Sequence, residues 1–312
     1  MFFKQFRQKN RAFITIYLVL IFLFLITSLI SPVFHSYENI SNILNQAAAL
    51  GIVSIGQTFV ILVLGIDLSV GSVISLTTVT CATLMKDDPL AMCLTVILCL
   101  AIGIGIGLLN GLLVSKVKLP PIIVTIGMMV LIQGIALQIR IAPGGYIPKS
   151  FGEIISGSLC FVPVSAIILV SLITAAIILL RKTIFGNYIY ATGGSEENAK
   201  LAGINVEKVT IFSYIICSFI AVIAGLVLTG RIRSGDPLIG TSFAIDSISA
   251  VIIGGTPFTG GQGGVEGTIA GALIISILSN ILNLLSISSF YQYIVKGLVL
   301  LTAVILYSLR IE

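Results

Sequence analysis

Charge is scarce in this 312-residue sequence: Asp, Glu, Lys and Arg together make up 9% of it, and the mean hydropathy is +1.16. Soluble globular domains carry about 25% charged residues, so the composition excludes that class. Apolar runs of roughly twenty residues, the length that crosses the ~30 Å hydrocarbon core of a bilayer, recur along the chain instead. The sequence therefore predicts an all-α polytopic membrane protein that forms one transmembrane domain over residues 1–312.

Other residue types and motifs are also missing. Tryptophan is absent, His35 is the only histidine, and the five cysteines form no CxxC pair. One histidine cannot build a metal site, and four of the cysteines lie inside apolar runs, so we interpret them as small core residues. The motifs HExxH, GxSxG and GxxxxGKS/T do not occur. We therefore expect no metal, no intramembrane catalysis and no ATP hydrolysis on this chain.

Ten apolar segments qualify as membrane helices. They are expected at about residues 13–29, 47–64, 68–85, 91–114, 122–139, 164–180, 210–229, from 243, 267–285 and 291–309. With the N-terminus inside, eleven cations fall on the cytoplasmic side: Lys4, Arg7, Lys9, Arg11, Lys116, Lys118, Arg181, Lys182, Lys200, Lys208 and Arg310. Five fall outside: Lys86, Arg140, Lys149, Arg231 and Arg233. The positive-inside rule therefore predicts cytoplasmic termini, residues 1–12 included, and a cytoplasmic segment 181–209.

Two similar motifs indicate an internal repeat. The motif IDLS at 66–69 opens the third predicted helix, and IDSIS at 245–249 opens the eighth. A Gly-spaced helix that contains Asn follows each motif. Two halves of five helices must face opposite ways in the membrane, which is the inverted repeat of many transporters.

The segment 181–209 carries four cations and three carboxylates between apolar runs. Within it, residues 195–203 are predicted to form one short amphipathic helix. Ser195 caps this helix, Glu196 and Glu197 favour its first turn, and Gly203 ends it. Such a helix between two spans is suited to bind another protein. The alternative is that the whole segment is a solvated loop that only connects the spans.

Asp67 stands in a long apolar run. An ionisable residue at membrane depth usually marks a transport pathway or an interior pair. Alternatively, Asp67 only caps the helix that follows, by accepting hydrogen bonds from the backbone near Ser69 or Val70. The same two interpretations apply to Asp246 at the start of the eighth predicted helix.

Neutral amides also lie within the predicted spans, where they can bind a polyhydroxylated solute or neighbouring helices. Their number, without chains of buried carboxylates and histidines, favours a neutral polar cargo over protons or metal ions. The candidate pathway residues are Gln57, Asp67, Ser69, Asn110, Gln133, Asp246 and Asn283.

Glycines have two predicted uses. Gly103, Gly107 and Gly111 recur at four-residue spacing, which lets helices approach closely. The Gly-rich stretch 254–264 lacks the P-loop motif, so we interpret it as a tight cytoplasmic turn between two spans.

Three segments resemble one family of membrane proteins. GIDLSVGS at 65–72, GNYIYATGGSEENAKLAGINV at 186–206 and AIDSISAVIIGGTPFTGGQGGVEGTIAGALI at 244–274 are similar to the permease subunit of bacterial ribose-type sugar ABC importers, in the branched-chain amino acid/ribose permease family. The resemblance covers nearly the whole chain from about Ile30. It implies a ten-helix fold similar to that of cobalamin-importer permeases, in the bacterial cytoplasmic (inner) membrane.

The resemblance also implies that alternating access moves a monosaccharide into the cytoplasm. The implied partners are a second permease subunit, identical or paralogous, a tandem-domain sugar ATPase that carries ATP and Mg²⁺, and an extracytoplasmic sugar-binding protein. The permease chain itself needs no cofactor in such a system. The residues that correspond to the ATPase-coupling segment are Ser195, Glu196, Glu197, Ala199, Lys200, Leu201 and Gly203.

An ion-coupled secondary transporter of a small polar solute is the alternative, because broken helices and inverted repeats occur in that class too. Such a transporter predicts a buried carboxylate paired with a base, or a sodium site made of unwound backbone carbonyls. The sequence instead has isolated aspartates at predicted helix starts, which favours the importer.

Overall fold

The computed structural model describes residues 16–29, 31–159 and 162–308, with side chains as far as residue 305. The predicted cytoplasmic N-terminus, residues 1–12, lies outside the described residues.

Helices make up most of the described chain. Their bounds are α1 (Ile16–Leu29), a 3-10 turn (Pro32–His35), α2 (Tyr37–Leu62), α3 (Val70–Leu84), α4 (Pro89–Ser115), α5 (Pro121–Ile139), α6 (Lys149–Ser156), α7 (Val164–Lys182), α8 (Ile184–Gly194), α9 (Glu196–Leu201), α10 (Val206–Ile232), α11 (Thr241–Ile253), α12 (Val265–Leu284) and α13 (Ser289–Ser308). The two-residue strands β1 (Ser158–Leu159) and β2 (Val162–Pro163) form a small antiparallel pair before α7.

Within the described residues, six helices are long and apolar enough to cross a membrane: α2, α4, α5, α7, α10 and α12. The helices α1, α3, α11 and α13 are also apolar, but they are shorter. Each predicted span overlaps one of these helices. The all-α polytopic membrane class is therefore confirmed, whereas the count of ten crossings stays a prediction.

The polar segment 181–209 is largely helical, so the alternative of a solvated loop over the whole segment is wrong. The span α7 continues to Lys182, and α8 and α9 follow before α10 begins. Thr183 caps α8, because its Oγ1 accepts a hydrogen bond from Gly186 N at 3.2 Å. Ile189 of α8 is fully buried against the rest of the protein. The glycines and polar residues of α8 look like a loop in the sequence, but burial of its apolar face stabilises a helix.

The helix α2 begins at Tyr37, well before the predicted start at 47. Ser36 caps it by accepting a hydrogen bond from Asn39 N at 3.2 Å. The Asn39 side chain then exchanges two hydrogen bonds with the Asn280 side chain of α12, at 2.8 and 3.2 Å. These hydrogen bonds satisfy polar groups in the first turn of α2, so the helix starts earlier than the apolar pattern indicates.

The glycines of α4 pack against α10 as predicted. A Cβ on Gly111 would lie 2.7 Å from the Ile211 Cα, and one on Gly107 would lie 2.7 Å from the Ile215 Cα. Glycine at these positions lets the two backbones approach more closely than any larger residue would allow. These contacts hold α4 closely against α10.

The helices α3 and α11 are too short to cross a bilayer alone. Their 15 and 13 residues extend only about 22 and 20 Å at 1.5 Å per residue. Each follows a long helix and a non-helical segment, 63–69 after α2 and 233–240 after α10. Each segment has a residue with left-handed backbone near its start, Leu64 with φ +66° and Arg233 with φ +51°.

The two short helices meet at their first turns. Gly71 and Gly240 lie in direct backbone contact, and a side chain on either would collide with the carbonyl oxygen of the other. Gly240 N also donates a hydrogen bond to Ser75 Oγ at 3.0 Å. We call this contact of Gly71 and Ser75 with Gly240 the α3–α11 joint.

Candidate functional site

Four predicted pathway residues form one cluster beside the start of α3: Gln57, Asp67, Ser69 and Asn110, all fully buried. Asp67 Oδ1 accepts hydrogen bonds from Ser69 N at 2.9 Å and from Ser69 Oγ at 2.5 Å. Asn110 Nδ2 donates to the same Ser69 hydroxyl at 3.0 Å. Asp67 is not the cap of α3, because Ser69 is the N-cap residue and no side chain caps this helix; the bond from Ser69 N instead closes a turn just before it. The carboxylate thus fixes the chain that leads into α3.

Gln57 joins the cluster from α2. The Gln57 amide is oriented so that its nitrogen donates to Asp67 O at 3.1 Å and its oxygen accepts from Asp67 N at 3.2 Å. The side chain therefore completes the backbone hydrogen bonding of a residue that lies outside any helix. Buried backbone groups without a partner are costly, so this amide stabilises the interrupted segment 63–69.

The other predicted pathway residues lie elsewhere. Gln133 of α5 is partly buried and donates from Nε2 to Pro237 O at 2.7 Å, which ties α5 to the segment before α11. Asn283 is exposed near the end of α12 and accepts from Gln292 Nε2 at 2.7 Å. The structure thus brings Gln133 close to the α3–α11 joint and places Asn283 at the boundary between α12 and α13.

Asp246 is not at a helix start, so the capping interpretation of this residue is wrong. The helix α11 begins at Thr241, more than one turn earlier. Asp246 Oδ2 instead accepts from Lys296 Nζ of α13 at 2.7 Å, with 13% of the Asp246 side chain and 17% of the Lys296 side chain exposed. The description of Asp246 as an isolated aspartate is therefore also wrong. A buried carboxylate paired with a base is present, which is the feature expected of ion-coupled transport.

The helix α9 forms as predicted. Ser195 Oγ accepts from Asn198 N at 3.2 Å, and Gly203 follows the helix with φ +80°. Glu196 pairs with Lys200 at 2.6 Å, and this hydrogen bond raises the pKa of the Lys200 ammonium. Ala199 is buried, while Glu196, Glu197, Lys200 and Leu201 are exposed. The exposed face of α9 is thus charged, with one apolar residue, Leu201, at its end.

The preceding helix, α8, contacts two other parts of the chain. Tyr190 OH donates to Gly263 O at 3.0 Å, in the Gly-rich stretch 254–264. Gly193 lies so close to Leu62 and Gly261 that a side chain there would collide with both. Gly261 N in turn donates to Leu62 O at 3.0 Å, at the end of α2. We call these contacts of Tyr190 and Gly193 with Leu62, Gly261 and Gly263 the α8 junction.

The electrostatics of the α8 junction keep Tyr190 a neutral donor. Burial, followed by the nearby carboxylate of Glu266, raises the pKa of Tyr190 to about 12, although the guanidinium of Arg181 acts in the opposite direction. Glu266 itself pairs with Arg181 at 2.6 Å, which joins the start of α12 to the end of α7. At neutral pH the tyrosine hydroxyl therefore stays protonated and donates to Gly263 O.

Acidic, cysteine and histidine side chains do not gather into a metal site: no group of three lies together within the described residues.

A family comparison decides the class of the chain. The family of branched-chain amino acid transport system permease components matches residues 39–304, from the first turn of α2 into α13. The chain belongs to this permease family. The resemblance seen in the sequence is confirmed, and with it the prediction of a permease component of a transporter.

Several permeases of known systems are similar along nearly their whole length. The ribose import permease protein RbsC of Haemophilus influenzae is 42% identical over 306 residues, covering 96% of this chain and 93% of the relative. RbsC of Bacillus subtilis is 40% identical, with 96% and 92% covered. The galactose/methyl galactoside import permease MglC of Escherichia coli is 32% identical, with 95% and 94% covered. No solved structure matches the chain.

Sequence reasoning missed two contacts of this permease. Lys296 lies inside the predicted span 291–309 and so counts for neither side of the membrane, and its position in an apolar helix is a signal that it needs an acidic partner. In the sequence, Tyr190 stands out only as one residue of the polar segment 181–209. No local pattern connects it with Gly263, since the two residues are far apart in the chain and meet only through the fold.

Proposed function

We propose that this permease is the transmembrane subunit of an ABC importer that moves a ribose-like monosaccharide into the cytoplasm. The observation that carries the proposal is the alignment with the H. influenzae ribose permease, which covers more than nine-tenths of both chains. The galactose permease is less similar, at 32% identity, so ribose is the first solute to test. The permease chain needs no catalytic group of its own in this arrangement.

The proposed energy source is a separate tandem-domain ATPase, which holds ATP and Mg²⁺ and docks on α9. Exposure of Glu197, Lys200 and Leu201 supports this docking, because α9 presents charge and one apolar side chain on its exposed face. The remaining partners are a second permease subunit and an extracytoplasmic sugar-binding protein. Capture of the sugar then takes place outside, and the permease needs little affinity for it.

The proposed topology has ten crossings in the bacterial inner membrane, with both termini and α8–α9 in the cytoplasm. The distribution of Lys and Arg supports it. The order of a long helix, an interrupted segment and a short helix occurs twice, in α2–α3 and in α10–α11, which supports an inverted repeat. Irregular backbone at membrane depth is tolerated where protein covers it, as around 63–69.

The proposed pathway keeps the seven candidates named from the sequence: Gln57, Asp67, Ser69, Asn110, Gln133, Asp246 and Asn283. Four of them are fully covered by the chain itself. A solute therefore reaches those four only after the helices around them move apart. Alternating access would supply that opening as the two permease subunits reorient.

The test is uptake of D-ribose into proteoliposomes that contain the permease with its co-purifying ATPase and loaded ribose-binding protein. Glu197→Arg reverses the charge on the exposed face of α9, and Glu197→Gln serves as the matched neutral control. We expect the arginine variant to lose the ATPase and most ATP-driven uptake, and the glutamine variant to keep both in larger part. Uptake that needs no ATPase would overturn the proposal.

Ion-coupled secondary transport is the second candidate, because Asp246 and Lys296 form the carboxylate–base pair that such a mechanism uses. It predicts that a proton or sodium gradient alone drives D-ribose into vesicles without ATP. A protonophore or removal of sodium would then abolish uptake. Uptake that depends on ATP and persists without these gradients excludes this candidate.

A further inference from the structure

We propose that Tyr190 is a positioning residue through which α8 transmits movement to both short helices, α3 and α11. The proposal rests on the function proposed above, in which the ATPase moves α9. It gives a role to the Gly-rich stretch 254–264, which the sequence identifies only as a turn.

The first step is the contact of α8 with 254–264. Tyr190 OH donates to Gly263 O at 3.0 Å, and Gly193 lies against Gly261 with no room for a side chain. Only Ser195 separates α8 from α9 in the chain. A displacement of α9 therefore reaches 254–264 through a rigid helix and two close contacts.

The second step is the internal cohesion of 254–264. Gly264 N donates to the fully buried Thr256 Oγ1 at 3.0 Å, so a hydrogen bond closes the stretch on itself. Gly260, Gly261 and Gly263 have φ values of +64°, +63° and +103°, in the left-handed region that favours glycine. The stretch is thus a defined loop whose ends move together.

The third step is that 254–264 reaches both short helices. It directly continues α11, which ends at Ile253. It is also bonded to the end of α2, since Gly261 N donates to Leu62 O at 3.0 Å. The chain then passes from α2 through 63–69 into α3. One loop therefore holds α11 and the segment that leads into α3.

The fourth step is that the opposite ends of these elements meet in the α3–α11 joint. The backbones of Gly71 and Gly240 touch without space for any side chain. A packed contact of this kind separates or stays closed instead of deforming continuously. Movement of the loop at the far end of α11 is therefore expected to open or close the joint.

Tyr190 is better suited to this task than the neighbouring pair of Arg181 and Glu266. The Arg181 side chain is 52% exposed, and exposed ion pairs contribute little because water and salt screen them. The Tyr190 hydroxyl is partly buried and neutral, so its hydrogen bond does not depend on ionic strength. It also contacts the loop directly.

The experiment compares Tyr190→Phe with Tyr188→Phe in the permease–ATPase complex in nanodiscs. Tyr188 lies on the same helix, it is 40% exposed, and the phenylalanine change removes the same atom. Hydrogen–deuterium exchange of residues 60–66 and 254–264 is measured without nucleotide and after trapping with ATP and vanadate. We expect trapping to change the exchange of both segments in the wild type and in Tyr188→Phe, and not in Tyr190→Phe.

The second readout is the number of ATP molecules hydrolysed per D-ribose imported in proteoliposomes. We expect this number to rise about fivefold in Tyr190→Phe, the scale of one lost hydrogen bond. Thr256→Val, which breaks the bond that closes the loop and keeps its shape, should have the same effect. A Tyr190→Phe complex with wild-type exchange changes and a wild-type ratio overturns the inference.

The two proposals fail in different ways. If Glu197→Arg leaves the ATPase bound and active, the assignment of α9 as its docking helix is wrong. If Glu197→Arg releases the ATPase while Tyr190→Phe behaves as wild type, the docking holds and the transmission through Tyr190 is wrong. If no ATPase binds the wild type, both proposals fall together.

Discussion

Asp67 and Asp246 both follow an isoleucine in similar motifs, IDLS and IDSIS, yet the fold uses them differently. Asp67 lies three residues before α3, and its hydrogen bonds go to Ser69 and Gln57, close by on adjoining elements. Asp246 lies inside α11 and pairs with Lys296 on α13. One aspartate organises the chain that enters a short helix, and the other joins two helices.

The difference shows that the motifs do not mark equivalent positions of the two proposed halves. Aligned at their helix starts, α3 and α11 would match Asp246 with Ser75, which belongs to the α3–α11 joint. The two similar motifs therefore do not lie at matching positions of α3 and α11. The repeat of long helix, interruption and short helix is the stronger argument for two related halves.

Breaking the ion pair between Asp246 and Lys296 should have the largest effect on stability. Lys296→Met leaves a carboxylate with little exposure and no cation, and loss of one partner of such a pair costs about 3–5 kcal/mol. We expect a sharp fall in the folded fraction, measured by thermal unfolding in detergent and by abundance in the membrane. The double variant Asp246→Asn/Lys296→Met should recover most of this loss. Equal stability of Lys296→Met and the wild type would show that water, and not Lys296, satisfies Asp246.

The α3–α11 joint should be the next most sensitive place. Gly240→Ala puts a methyl group against the Gly71 carbonyl, and overpacking of this kind costs about 1–3 kcal/mol. Gly105→Ala in α4 is the matched control, because a methyl group there meets no atom within 4 Å. We expect the unfolding temperature to fall for Gly240→Ala and to stay the same or rise for Gly105→Ala. An unchanged Gly240→Ala variant would mean that the joint is open in the membrane.

Local patterns predicted part of this structure well. Gly103, Gly107 and Gly111 follow helical spacing, so their packing face could be read from the sequence. Ser195 and Gly203 likewise bracket α9 by chemistry that acts within a few residues. Such features depend on neighbours in the chain, and these predictions were correct.

Contacts between distant residues could not be predicted in this way. Lys296 follows Asp246 by 50 residues, and no spacing rule identifies the partner of a single cation in an apolar helix. The helix α8 needs the burial of Ile189, which depends on where other elements lie. The pathway role of the polar residues also stays a prediction.

Changes at Asp67 should be milder than those at Asp246, because Asp67 has neutral partners. Asp67→Ala removes the acceptor of the Ser69 N–H group and should cost about 1 kcal/mol, the net contribution of a typical hydrogen bond. Asp67→Asn keeps an acceptor and should cost less. The measurement is thermal unfolding of both variants beside Asp246→Asn. A larger loss for Asp67→Asn than for Asp246→Asn would reverse the comparison and indicate that the charge of Asp67 matters.

The exposed pair of Glu196 and Lys200 should show the smallest effect. Both side chains are more than half exposed, so water screens their attraction, in contrast to the pair formed by Asp246 and Lys296. We expect Glu196→Gln to leave the unfolding temperature unchanged within error. A measurable loss of stability would mean that α9 packs more tightly than its exposure indicates. Reduced ATPase binding at unchanged stability would instead place Glu196 in the partner contact, because a charge that does not stabilise its own fold then acts on another chain.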